Sequence, residues 1–336
     1  MTSEEQPKEF RRRDHVTMRM QMTPQQHAVF AQWSGMVPTL HFLDINVVNA
    51  TRKPDVSPGE NPRKAELVAN LQELDQPHNA FSYLLALMEK VSDLRGTMSD
   101  ADLQAHILED LRALRAFFKR AGVVEEDEYA VRYLKELRGV APETARSGYM
   151  AFLERMNDQF NLRDPVAPSL RLQRAKDILD VADAHSISRQ HSVVLLTLGC
   201  LYGNPAAKRL MKFKANPAKF DAQNAIADVM AISRAAELKL QIEQKDSGFP
   251  WERARLITDD DGLRDVFDCF EPVGLKIVES ADGADSEFKF SVNLERLLTG
   301  VPIQGQSDAL APKTGLDPDE YEQLQRLLMQ PPKGAY

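Results

Sequence analysis

The chain has 336 residues, of which 43% are hydrophobic and 27% charged, with a formal net charge of −8. That is a globular composition, long enough for one large domain with insertions or for two smaller ones. The acidic balance excludes a protein that simply coats nucleic acid, so any such contact needs a local basic patch. No apolar run is long enough to cross a membrane, and no signal peptide or membrane partner is expected. Cys200 and Cys269 both sit in apolar surroundings, as expected of buried thiols in a reducing compartment, here the cytoplasm.

Residues 1–22 are charged and expected to be a flexible N-terminus. The stretch 23–35 predicts a short helix stopped by Gly35, and 39–44 a buried strand ending in Asp44. Three prolines and a glycine make 54–64 a loop. From Arg63 the spacing is helical, first through "RKAELVANLQEL" and then through "NAFSYLLALMEKVSDL", with Asn79 placed to cap the second helix. An amphipathic helix is expected over 100–122, ending at Gly122, and helical patterns continue to a break at 163–169. Four more helical stretches follow, among them the nearly apolar "HSVVLLTLGCLYG". Short strands return at 254–258, 273–280 and 288–294, the last as an edge strand. The tail from Pro302 carries one helical stretch. Short apolar strands separated by helices predict an α/β fold, a short, mostly parallel sheet covered on both faces. In such sheets ligands bind beyond the carboxyl ends of the strands.

Acids concentrate at that edge. Asp44 ends the first strand, and "TDDDG" places Asp259, Asp260 and Asp261 at the end of the strand over 254–258. Glu89 follows a run of core-type residues, and Asp228 lies among Ala225, Ile226, Val229 and Ile232. Asp221, Asn224 and Asp228 share one helix face. Taken singly, each acid has a plainer explanation as a cap, a solvated helix residue or a salt-bridge partner, with Arg234 or a distant lysine as the partner of Asp228. Taken together, acids from distant segments in apolar contexts are explained by convergence on a hard divalent cation, Mg2+ or Mn2+. Without it, clustered carboxylates repel and at least one holds its proton.

"HFLDINVV", "ALMEK", "NAIADVMAISRAA" and "ARLITDDDGL" resemble, in order, the segments that carry the acids of the PIN-domain nuclease superfamily. The resemblance covers about residues 38–94 and 190–282. It implies a PIN-like α/β/α sandwich over 23–300, enlarged by a helical insertion at about 95–175, and leaves 301–336 as a tail. It implies Asp44, Glu89, Asp228 and Asp260 as metal ligands and catalytic acids, with Asn46 and Thr258 as orienting neighbours. Asp259 is the rival of Asp260, and Asp221 and Asn224 are substitutes for Asp228. Ile45 departs from the family, which often has Thr or Ser there, and the insert "QIEQKDSGFPWER" lengthens the gap between Asp228 and Asp260. The activity implied is metal-dependent hydrolysis of phosphodiester bonds, usually in single-stranded RNA, by a water activated at the cation.

Such a substrate needs a positive track. Lys208, Arg209, Lys212, Lys214 and Lys219 supply one, with no acid between them in the sequence. A zinc hydrolase is unsupported, since the histidines show no HExxH spacing. "GVPIQGQS" has Gln where a phosphate-binding loop needs lysine, and "TDDDG" lacks the first acid of a calcium loop. A second reading stands beside the nuclease: a catalytically inactive PIN-like binding or assembly module. The helical insertion and the acidic surface then serve a protein partner or a homo-oligomer.

Overall fold

The structure, a computed structural model, describes residues 23–55, 57–92, 98–138, 146–244, 248–280, 283–299 and 316–331. The chain divides into two units, Met1–Val37 and Pro38–Tyr336. The first contributes helix α1 (Pro24–Gly35), closed at its start by a capping box between Thr23 and Gln26. The expected flexible segment 1–22 lies outside the described residues.

The second unit begins with strand β1 (Thr39–Leu43), helix α2 (Ile45–Arg52), α3 (Pro62–Glu73), β2 (Asn79–Ser82) and α4 (Leu84–Ser92). Then come α5 (Asp100–Phe117), β3 (Gly122–Val123), α6 (Asp127–Leu137), α7 (Arg146–Gln159), α8 (Pro168–Ala184) and α9 (Ser192–Tyr202). The last part holds α10 (Pro205–Met211), α11 (Ala222–Glu243), β4 (Arg253–Ile257), α12 (Asp261–Phe267), β5 (Phe270–Ser280), β6 (Gly283–Val292), α13 (Leu294–Thr299) and α14 (Pro318–Leu328). The protein is therefore α/β and mostly helical.

Its four-stranded sheet is parallel throughout, in the order β3-β2-β1-β4. β1 is central, and all five of its residues are buried. Leu40 and Phe42 pack on one face with Ala80 and Ala254 of the flanking strands and Ala235 of α11. Leu43 packs on the other with Phe81, Val47, Leu87 and Leu111. Helices thus cover both faces, compatible with an α/β/α sandwich. Burying each large aliphatic contributes about 1.5–3 kcal/mol, so a one-residue slip that exchanged the two faces is strongly disfavoured. A third apolar cluster joins α7–α11, α13 and α14, with Leu324 and Leu328 of the C-terminal helix buried in it. Both cysteines are buried, as expected.

Four expectations need correction. Asn79–Ser82 is a strand, not the start of a helix; it pairs with β1 from Thr39↔Asn79 to Phe42↔Ser82. Helix α5 stops at Phe117, and Gly122 opens β3, which pairs with β2. The stretch 95–175 is mainly helical but also supplies that sheet strand, and Leu103, Ile107 and Leu111 of α5 join the core beneath the sheet. Finally, the late strands at 273–280 and 288–294 do not extend the parallel sheet. β5 and β6 form their own antiparallel pair. Among the described residues no helix is long and apolar enough to cross a membrane.

Candidate functional site

β1 and β4 lie side by side, in register from Thr39↔Arg253 to Leu43↔Ile257. β1 runs directly into Asp44, the cap of α2, and β4 leads through Thr258 and Asp259 into Asp260, the cap of α12. The Asp44 backbone N–H donates to the Ile257 carbonyl at 3.0 Å, extending the ladder by one bond. Its carboxylate caps α2: Oδ1 accepts from the Asn46 N–H at 3.3 Å. The second oxygen, Oδ2, accepts from the Thr258 hydroxyl at 2.6 Å. Asp44 therefore faces Thr258. The same hydroxyl accepts the Asp260 N–H at 3.0 Å, and Asp260 Oδ1 caps α12 by accepting from the Leu263 N–H at 2.9 Å. Gly262 lets α12 sit there, because a Cβ at that position would lie 3.0 Å from Asp260 Oδ1 and 3.2 Å from the Ala206 carbonyl of α10.

Asp228 comes from the middle of α11. Its Oδ2 accepts from the Lys212 ammonium at 2.7 Å and from the Asn224 side chain at 3.3 Å. Asp44, Glu89, Asp228 and Asp260 line a single cleft with Asn46, Lys212, Asn224 and Arg234, and Leu85 and Leu256 are part of its apolar wall. The cleft volume is about 190 Å³. Four chain segments, separated by as many as 216 positions in the sequence, thus converge at the carboxyl edge of the sheet.

The electrostatics follow from burial and crowding. Burial pushes the Asp44 carboxyl up, and the negative charge of Asp260 adds to it; the bonds from Thr258 and Asn46 pull the other way. Burial likewise pushes Asp228 up, against the pull of Lys212 and with the charges of Asp260 and Asp44. For Lys212, burial works against the charged form but is outweighed by the bond to Asp228 and by the charges of Asp228, Asp260 and Glu89, so its amine is held above the ordinary range.

Other predicted residues lie elsewhere. Asp259 pairs with Arg63 at 2.8 Å, and Asp261 with Arg63 at 3.1 Å and Arg264 at 2.7 Å. Neither lines the cleft. Asp221 is the exposed cap of α11, accepting from the Asn224 N–H at 2.9 Å. Of the basic track, Arg209 pairs with Asp265 at 2.9 Å and Lys208 donates to the Arg163 carbonyl at 3.1 Å, while Lys214 and Lys219 are exposed. The run carries no acid in sequence, yet acids reach it in space. Lys212 belongs inside the cleft and not on an outer track, and Arg234 lines the cleft with it. A signal for Arg234 existed: positions 224, 227, 228, 231 and 234 follow helical spacing on one face of α11.

An all-oxygen donor set of carboxylates and amides matches the preference of Mg2+ and Mn2+. Its chemistry therefore fits the cation that the resemblance implies. Among the described residues no three His, Cys, Asp or Glu side chains are gathered as ligands of one ion, and it is Lys212 that holds Asp228. Comparison with protein-family models, curated proteins and solved structures yields no match.

Proposed function

We propose that the protein is a PIN-like, metal-dependent endoribonuclease that cleaves single-stranded RNA at the carboxyl edge of its parallel sheet. One observation carries the reading: Asp44, Glu89, Asp228 and Asp260, from four distant segments, line one cleft at the end of two adjacent parallel strands. When bound, Mg2+ or Mn2+ supplies charge stabilisation at the phosphate and a more acidic water. Asp44, Asp228, Asp260 and Glu89 are the residues that would hold it. Thr258 fixes the rotamer of Asp44 and, through the Asp260 N–H, the start of α12. Asn224 does the same for Asp228. The apolar wall limits water around the reacting groups, which strengthens each charge interaction.

The test is cleavage of a single-stranded RNA in Mn2+ by wild type and by Asp44→Asn, with single-stranded DNA in parallel. Cleavage by the wild type and a loss of at least about 100-fold in the variant is the expected result for an interaction made at the reacting phosphate. Equal cleavage by both, or none by either, refutes the assignment. A second reading, an inactive binding or assembly module, draws on the Lys212–Asp228 ion pair, which ties up one of the four acids. Binding of RNA without cleavage would favour it.

A further inference from the structure

Lys212 stands where an ordinary helix end would not put a lysine. It follows α10 in the left-handed region, at φ 53° and ψ 30°, and its N–H closes the helix on the Lys208 carbonyl at 3.1 Å. That position favours glycine or asparagine, and other side chains there are strained. The strained backbone aims the side chain into the acid cleft, where the ammonium reaches Asp228 at 2.7 Å. The four carboxylates lining the cleft are formally opposed by two cations, Lys212 and Arg234. The difference is two negative charges, the charge of one divalent ion.

We propose that Lys212 is the built-in counter-cation of the cleft: it occupies Asp228 when no ion is bound, so a divalent ion must take Asp228 from it. This rests on the reading of the cleft as an ion site and adds to it the residue that sets ion affinity. Lys212 offsets the repulsion among the carboxylates and opposes an incoming ion by its charge. Lys212 is thus a positioning residue, acting through Asp228.

The sign of its effect separates this role from a structural one. A residue that merely supports the cleft weakens ion binding when removed. Lys212 should do the reverse. Calorimetric titration of Mn2+ into the full chain should give one ion per chain for the wild type and a dissociation constant about tenfold lower, or more, for Lys212→Met. Lys212→Arg keeps the positive charge and should stay near wild type. The rise in melting temperature on adding Mn2+ should also be larger for Lys212→Met, which reports on a folded protein directly. Equal or weaker binding by Lys212→Met, with the wild type still taking up one ion, overturns this proposal and leaves the ion site standing. Failure of all three proteins to bind Mn2+ overturns both.

Discussion

His41 offers a test of the structure that does not depend on function. It lies in the centre of β1, is 2% exposed, and stacks on Phe81 with ring centroids 5.2 Å apart. Among the described residues neither ring nitrogen has a hydrogen-bond partner. Burial, with Arg255 on the neighbouring strand adding its charge, holds the imidazole pKa down from 6.5 to about 4. The folded protein therefore keeps His41 neutral, while the unfolded chain takes up a proton below 6.5. Stability from this residue is fully present above that pH and is lost as the pH falls towards about 4. At about 1.36 kcal/mol per pH unit the loss totals about 3 kcal/mol. His41→Phe keeps the stacking partner and removes the proton. Urea denaturation of both proteins at pH 7.5 and pH 4.5 isolates the effect, because every other titrating group is common to both. The gap should widen by about 2.5 kcal/mol in favour of the variant on going to the lower pH. Parallel stability curves would mean that His41 is solvated or hydrogen-bonded, and that β1 is not buried as described.

Asp110 is fully buried and accepts from Arg52 and Lys90 and from the Tyr83 hydroxyl at 2.7 Å, so Asp110→Ala should cost about 3–5 kcal/mol in chemical denaturation by taking the carboxylate from Lys90 and Tyr83 and leaving Arg52 only Glu109 and the His106 carbonyl. Gly262→Val should lower the melting temperature and reduce Mn2+ binding, since its side chain collides with Asp260 and with the backbone of α10. The raised carboxyls of Asp44 and Asp228 bind protons more readily folded than unfolded, so their burial penalty falls as the pH drops through their folded values, and protons then compete with Mn2+. The thermal stabilisation by Mn2+ should accordingly be larger at pH 8 than at pH 5.5; a constant shift would place the ion elsewhere. Arg189 binds Asp183 through two nitrogens and donates to the Leu327 carbonyl at 2.9 Å, so Arg189→Ala should release α14 to proteolysis before the parallel sheet unfolds.

What could be read from the sequence depended on contrast along the chain. β1 and β4 were legible because each is a short stretch whose apolar residues lead into acids, Leu43 into Asp44 and Leu256–Ile257 into the 259–261 aspartates. β2 was not, because "NAFSYLLALMEKVSDL" joins a strand buried on both faces to an apolar helix. A four-residue strand of that kind has no period of its own to set it apart. β3, with two residues, carries no pattern at all. At 259–261 one acid that lines the cleft and two that pair outside it share a tripeptide. Only the three-dimensional position of Arg63, nearly 200 residues away, separates Asp259 and Asp261 from Asp260. Lys212 was legible as a charge but not as a position. Its left-handed backbone turns it out of the run formed by its neighbours.

The convergence of Asp44 and Asp260 has a local cause. Both are helix caps, and each cap directs a carboxylate oxygen at the N-terminus of the helix that follows its strand. The positive end of each helix offsets part of the cost of burying that charge. Because β1 and β4 are adjacent and parallel, the two caps fall side by side, and their mutual repulsion would splay them without an intermediary. Thr258 is that intermediary: its hydroxyl donates a hydrogen bond to Asp44 and accepts one from the Asp260 backbone N–H. A valine of the same shape would orphan both groups, at about 1–3 kcal/mol each. Strand adjacency, two caps and one hydroxyl are thus sufficient to assemble half of the acid cleft, before α4 and α11 bring in Glu89 and Asp228.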